Sequence, residues 1–216
     1  MTELSTTPTL LGERDGIWAL YKPSGMLIHP AGTGQPDLLT WIRSNHALPR
    51  DLTPVHRLDL GTSGLVIAAT ARRAEVAAWF EAGEVEKTYQ ALVHGRTQRK
   101  GVIRRPLKDA RREKTLSAVT RWRSIERLKG CTLLSVRPAT GRKHQVRRHL
   151  HGIGHPVVGD ARYRRPCKPV PGTSRLWLHA WRITLPDELH FEAELPLELK
   201  AHLEVLRGLD SGAGSG

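Results

Sequence analysis

The sequence predicts a single α+β domain built on a mixed, largely antiparallel sheet with flanking helices. Three observations predict its single domain and its mixture of helices and strands. The chain has 216 residues, the size of one ordinary domain, with no internal repeat and no long linker. Hydrophobic residues make up 39% and charged residues 25%, a balance that folds rather than staying disordered. Short apolar runs closed by Pro and Gly alternate with segments of helical period, so strands and helices are interleaved.

Taken in order, Ile17 to Lys22 is a short apolar strand that runs into the turn Pro23-Ser24-Gly25. Asp37 to His46 carries Leu38, Leu39, Trp41 and Ile42 at helical spacing. Gly64 to Ala69 reads as a buried strand. Thr70 suits the N-cap of a helix over Ala71 to Ala82, with Gly83 after it. Lys87 to Val93 alternates as a strand does. Leu116 to Ile125 and Thr132 to Val136 are further strands, and His144 to His151 is a short helix closed by Gly152 or Gly154. Leu176 to Leu185 and His190 to Leu195 are strands. Pro196 to Leu206 is a helix with Pro at its start and Gly208 past its end. Residues 208–216 read as a flexible Gly/Ser tail and 1–15 as an N-terminal extension, leaving 16–207 as the domain.

Charge narrows the function. Thirty-four Lys and Arg against 21 Asp and Glu give a net charge of +13. From Arg96 to Lys114 there are nine basic residues and two acids, and from Arg137 to Arg182 eleven basic residues and one acid, Asp160. From Asp187 to Asp210 the balance reverses, with seven acids against Lys200 and Arg207. Two basic tracts point to a face for a polyanion, nucleic acid before all others. No run approaches the roughly 18 apolar residues of a membrane span, and the N-terminal segment lacks the layout of a signal peptide. A membrane partner and secretion are therefore not expected. The two cysteines, Cys131 and Cys167, exclude a disulfide scaffold and a paired-cysteine zinc site, and they fit a reducing cytoplasm.

The most informative segment is Val55-His56-Arg57-Leu58-Asp59-Leu60-Gly61-Thr62-Ser63-Gly64-Leu65. A basic residue stands two positions before an acid, and a Thr-Ser-Gly turn follows whose backbone and hydroxyls can hold Asp59 in one orientation. Further blocks are Lys22-Pro23-Ser24-Gly25, then Glu86-Lys87-Thr88-Tyr89-Gln90-Ala91-Leu92-Val93-His94-Gly95, then Thr140-Gly141-Arg142-Lys143-His144-Gln145-Val146-Arg147-Arg148-His149-Leu150. Gly154-His155-Pro156-Val157-Val158-Gly159-Asp160-Ala161-Arg162-Tyr163 and Leu178-His179-Ala180 complete the set.

Together these blocks resemble the RluA-type pseudouridine synthases of the RsuA/RluA superfamily, from about Ile17 to Leu185 and in the family's order. The resemblance implies a pseudouridine-synthase catalytic domain with a central cleft across its sheet and Asp59 at the cleft floor. It implies that uridine in structured RNA, transfer or ribosomal, is isomerised without cofactor or metal. Asp59 matches the catalytic aspartate, Tyr89 the tyrosine that packs on the flipped base, and Arg147 the basic partner of the aspartate. Arg57 matches the arginine that enters the stack where the base leaves it. His56 is read as a positional residue at the RNA surface, and Arg104, Arg105, Arg142, Lys143 and Arg148 as phosphate contacts. Many members carry an S4 domain ahead of the catalytic one. About sixteen residues precede the first matching strand here, so the short form, recognising RNA as a monomer through the catalytic domain, is expected.

The residue types suit the chemistry. A stacked uridine must leave the stack before its sugar or ring can be reached. A planar cation such as Arg57 can fill the gap and hold phosphates. The reaction needs an ionised carboxylate, which attacks C1′ or assists loss of uracil and a proton from C2′. An arginine beside Asp59 would favour that charged form and fix its geometry. A phenol offers the base an apolar face with a polar tip.

Other readings compete. His144, His149, His151 and His155 suggest metal ligands, but no carboxylate shares the helix with His144 and His151, and Asp160 lies beyond Gly154 and Pro156, so no metal is expected. Lys22 and Gly25 form a turn rather than a phosphate loop, since the signature that follows such a loop is missing. His179 and Trp181 have no evident chemical role, and the cysteines are inert. A non-catalytic RNA-binding or ribosome-assembly protein on the same fold is the alternative function, disfavoured because a pure binder has no use for a carboxylate amid phosphates. A DNA-binding regulator is disfavoured by the lack of a helix-turn-helix pattern.

Overall fold

The computed structural model describes residues 6–32, 34–109, 113–173 and 175–211. In chain order the elements are β1 (Thr9–Arg14), β2 (Ile17–Lys22), α1 (Leu38–Asn45), β3 (Thr53–Pro54), β4 (Ser63–Ala69) and α2 (Arg73–Ala82). Then come β5 (Glu86–His94), β6 (Lys100–Ile103), β7 (Leu107–Asp109), β8 (Lys114–Leu116), β9 (Thr120–Leu128) and β10 (Cys131–Pro138). Last are α3 (Gln145–Gly152), β11 (Leu178–Thr184), a 3₁₀ turn (Pro186–Glu188), β12 (His190–Glu192) and α4 (Leu197–Ser211). They fall into two compact units, one from 1–86 and 179–197, the other from 87–178 and 198–216.

In the first unit β2 pairs antiparallel with both β1 and β4. β4 pairs antiparallel with β3 and in parallel with β11, which pairs antiparallel with β12. All seven residues of β4 are buried, which is why that segment reads as a continuous apolar run rather than an alternating one. Ile17, Tyr21, Leu65, Ile67, Ile183 and Phe191 form the core with Val76 of α2, and Trp79 and Phe80 pack against it. α1 is capped by Asp37, whose side chain accepts the Thr40 amide at 2.9 Å. α2 begins at Arg73, two residues later than the Thr70 cap predicts. The Thr70 carbonyl takes the Arg73 amide at 2.9 Å, so the chain turns there before it enters the helix. Gly83 ends α2 in the left-handed conformation at φ 78°, as glycine does most readily.

The second unit is an antiparallel sheet in the order β5-β10-β9-β6, with β7 and β8 as a separate hairpin. β9 starts at Thr120 rather than Leu116. The intervening segment is turned aside by α3 and the loop before it: Arg142 Nε donates to the Ser117 carbonyl at 3.1 Å, and Gln145 Nε2 to that of Val119 at 2.9 Å. α3 buries Gln145, Val146, His149 and Leu150. α4 buries Leu199, His202, Leu203 and Leu206 at helical spacing. Trp177 Nε1 donates to His202 Nδ1 at 3.1 Å, and His202 Nε2 donates to the Pro171 carbonyl at 2.6 Å. α4 continues through Gly208 to Ser211; a glycine inside a helix costs about 1 kcal/mol without ending it. The rest of the tail, 212–216, lies outside the described residues.

The parallel pairing of β4 with β11 beside the antiparallel pairings described makes the sheet arrangement mixed and largely antiparallel, with helices beside it, as predicted. β1 lies within the segment read as an extension.

Candidate active site

In the first unit, Asp59 sits on the loop between β3 and β4. Burial alternates along it: Arg57 is exposed, Leu58 buried, Asp59 half-buried and Leu60 exposed. Leu58 therefore anchors the loop between its two charged neighbours. The Asp59 carbonyl accepts the Thr62 amide at 3.0 Å, closing a tight turn directly after the carboxylate.

That turn is pinned from the other side. Lys22, at the end of β2, is fully buried. Its ammonium donates to the carbonyls of Pro23 at 2.9 Å, Met26 at 2.9 Å and Leu60 at 3.2 Å. The Gly25 amide also donates to the Leu60 carbonyl, at 2.8 Å, and Ser24 Oγ donates to that of Gly61 at 2.8 Å. An ammonium has three donors, and these three carbonyls match them in number. The Lys-Pro-Ser-Gly block, read from sequence only as a turn, is thus what holds the loop carrying Asp59.

His56 takes a supporting place. Its Nε2 accepts the Ile67 amide of β4 at 2.9 Å, so the ring is neutral with its proton on Nδ1. It stacks on Phe80 with centroids 4.6 Å apart and planes 18° from parallel. Both contacts fix the backbone from which Arg57 projects.

The Thr-Ser-Gly segment has its own reasons. Gly64 has φ 117°, and a Cβ there would lie 2.2 Å from the Ala180 carbonyl oxygen, so no other residue fits against β11. Ser63 Oγ bonds His179 Nδ1 at 2.9 Å, and His179 Nε2 bonds the Ala193 carbonyl at 2.8 Å. The carbonyl can only accept, so Nε2 carries the proton and Ser63 donates to Nδ1. His179, without a role from sequence, is a fully buried strut between β4, β11 and the segment after β12.

In the second unit, Tyr89 lies half-buried on β5, opposite Val136 of β10. Arg147 of α3 is gripped by Asp160: Nε to Oδ2 at 2.7 Å and Nη2 to Oδ1 at 2.8 Å, a bidentate pair in which the carboxylate is fully buried. Asp160 Oδ1 also accepts the amides of Arg162 and Tyr163, each at 2.9 Å. Burial alone would raise the pKa of Asp160; the Arg147 bonds and the two amides outweigh it and hold the carboxyl below its ordinary value. The guanidinium carbon of Arg147 lies 5.1 Å from the centroid of the Tyr163 ring, whose hydroxyl bonds His144 Nδ1 at 3.0 Å. Asp160 and Tyr163 therefore orient Arg147. Both stand in the block after α3, but nothing in their spacing showed which cation they would hold.

Arg142, Lys143 and Arg148 line one surface cavity of about 210 Å³ together with Lys108 and Asp109 of β7. Arg148 Nη1 donates to the Lys108 carbonyl at 3.1 Å, tying the β7–β8 hairpin to α3. Arg104 and Arg105 are exposed on the segment between β6 and β7. His149 accounts for their placement: buried, it bonds the Arg105 carbonyl through Nε2 and Thr120 Oγ1 through Nδ1, each at 2.8 Å. His144 and His149 are thus committed to protein partners, and His155 Nδ1 bonds the His94 carbonyl at 2.9 Å. Among the described residues no helix is long and apolar enough to cross a membrane.

Comparison with known proteins defines the class. The family model described as RNA pseudouridylate synthase matches residues 16–152, which include Asp59, Tyr89 and Arg147. The chain belongs to this family of isomerases. It is 33% identical to the ribosomal large subunit pseudouridine synthase D of Nitrosomonas europaea over 93% of its own length and 65% of that protein's. It is 32% identical to the tRNA pseudouridine synthase C of Vibrio cholerae over 91% of each chain. It is 36% identical to the dual-specificity RNA pseudouridine synthase RluA of Vibrio parahaemolyticus, over 78% of this chain and 73% of that one. Among solved structures, human RNA pseudouridylate synthase domain containing 4 shares the fold with a TM-score of 0.76 at 24% identity, covering 92% of each chain.

Proposed function

We propose that the chain converts uridine in structured RNA, transfer or ribosomal, to pseudouridine. The N1–C1′ bond of the nucleotide breaks, uracil turns, C5 bonds to C1′, the C5 proton passes to solvent, and N1 takes up a proton in its place. Asp59 supplies the carboxylate that acts at the sugar, on C1′ as nucleophile or at the C2′ proton. Either route needs the carboxylate ionised and held still, and the Lys22-pinned turn supports the second requirement. Arg57, exposed beside it, enters the space the base leaves. Tyr89 offers its ring to the displaced base, and Arg147, pre-oriented by Asp160, supplies positive charge. His56 fixes Arg57 rather than reacting. Arg104, Arg105, Arg142, Lys143 and Arg148 hold phosphates. The enzyme works as a monomer in the cytoplasm with no cofactor.

The observation that carries this reading is the family match over 16–152 together with an aspartate on a turn held by a buried lysine. The relatives' names favour ribosomal and transfer RNA as substrate classes. Mapping pseudouridine across cellular RNA, in strains with and without the protein, tests it. Loss of one or more sites in the deficient strain is expected. Unchanged maps in ribosomal and transfer RNA alike would overturn the substrate assignment.

A further inference from the structure

The sheet of the second unit has two unlike faces. Residues directly opposite one another on neighbouring strands share a face, and successive residues alternate between faces. One row runs Tyr89, Val136, Trp122, Gly101. A parallel row on the same face holds Pro138, Thr120 and Ile103. This face is covered by α3, whose Gln145 and His149 both bond Thr120 Oγ1.

The rows between them point the other way. One is Ser135, Arg123, Lys100, and the next is Arg137, Arg121, Val102. All four cations are exposed. Arg123 lies directly opposite Lys100, and Arg121 directly opposite Arg137. Like charges at directly opposed positions of a sheet repel. Among the described residues no carboxylate comes within ion-pair distance of Lys100, Arg121 or Arg123. The acid nearest along β9, Glu126, is occupied by Arg207 of α4, through Nε at 2.9 Å and Nη2 at 2.7 Å.

From this arrangement we infer that the face formed by Lys100, Arg121 and Arg123 is a second docking surface, taking the sugar–phosphate backbone of RNA beyond the target nucleotide. The inference rests on RNA being the substrate. Repulsion between the opposed Arg123 and Lys100 is relieved when an anion bridges them, and the phosphates of an RNA chain supply such anions. The face presents guanidiniums and an ammonium, with no aromatic ring or apolar cleft among those rows to hold a base. It therefore grips backbone and reads no sequence. It also points away from the Tyr89 face of the same sheet, so an RNA reaching both must extend past the edge of the unit. Short substrates never meet it and long ones do.

The double variant Arg121→Gln/Arg123→Gln tests this. Both side chains are exposed, so the fold should persist, which circular dichroism and the melting temperature check. Two RNA probes are used: a short stem-loop containing uridines, and the same stem-loop extended by a duplex arm. Affinity is measured by fluorescence anisotropy across a salt series. For the extended RNA the variant should bind about tenfold more weakly at moderate salt, with the slope of log affinity against log salt reduced by about 0.7–0.9 for each cation removed. For the short stem-loop, affinity and turnover should match wild type. Equal losses on both RNAs, or no loss on the extended one, would overturn the inference. So would a change confined to self-association, read by sedimentation, which would make the face a contact between copies. If wild type converts no uridine in either probe, the enzymatic reading fails. The comparison of binding between long and short RNA remains decisive for this face.

Discussion

Removing the charge on Asp160 should both destabilise the protein and slow it, and the structure sets the scale. In Asp160→Asn the side chain keeps its shape, so Oδ1 can still accept the Arg162 and Tyr163 amides. The position of Oδ2, now 2.7 Å from Arg147 Nε, becomes an amide nitrogen, and two donors face each other. The carboxylate is fully buried and Arg147 nearly so, which leaves the guanidinium uncompensated. Breaking a buried pair from one side costs about 3–5 kcal/mol. The amide still accepts from the backbone, so about 3 kcal/mol is expected. In a chain of this size each kcal/mol shifts the melting temperature by about 2–4 °C, so a fall of about 6–12 °C should follow. Differential scanning calorimetry at neutral pH reads it. The folded-state pKa of Asp160 lies below its unfolded value, so the stabilisation is present above the ordinary carboxylate range and is lost as pH falls through the folded-state value. The gap between wild type and variant should therefore stay constant from neutral pH down to about 5 and close below about 4. A melting temperature within about 2 °C of wild type at pH 7, or a gap that widens in acid, would refute the reasoning.

Three further outcomes follow from the same geometry. Lys22→Met removes the ammonium from the carbonyls of Pro23, Met26 and Leu60, the last of which keeps the Gly25 amide; it should cost about 2–4 kcal/mol in urea unfolding and lower kcat more than it changes KM, because the Asp59 turn is loosened. Gly64→Ala drives a methyl into the Ala180 carbonyl at 2.2 Å, so at least about 3 kcal/mol should be lost in chemical denaturation. Burial lowers the folded-state pKa of both His149 and His94 below 6.5, so stability is full above that pH and declines as pH drops through the folded-state values; a pH series of melting curves should show this, with a shallower decline in His149→Gln.

Much of the fold was legible because burial writes itself into the sequence. β2 and β4 are contiguous apolar runs, and α1 carries a good cap at Asp37. What escaped was held by tertiary contacts rather than by pattern. β1 is a half-exposed edge strand whose register shifts around Gly12, so it shows no clean alternation. β7 and β8 are three residues each and owe their place to arginine–backbone bonds from Arg142 and Arg148, far along the chain. The site divides in the same way. Asp59 and its turn stood out because the residue types follow one another in a single stretch. Lys22 reads from sequence only as the end of a strand entering a turn, since nothing local shows that its ammonium is buried beneath a loop 38 residues on. The grip of Asp160 on Arg147 spans 13 residues and a change of direction at Gly159, whose Cβ would lie 1.8 Å from the Arg175 carbonyl oxygen. The cationic sheet face is set by strand register, which no linear tract of charge displays.

The central claim is that Asp59 carries out the isomerisation, and a tritium-release assay tests it most directly. When C5 of uridine becomes the glycosidic carbon, its hydrogen passes to water, so RNA labelled with tritium at that carbon releases counts in proportion to turnover. Purified wild type should release tritium from ribosomal or transfer RNA, while Asp59→Asn, nearly identical in shape but unable to act as nucleophile or base, should release none above background and still bind the RNA within a few-fold. Turnover by the Asn variant at a measurable fraction of wild type would contradict the account.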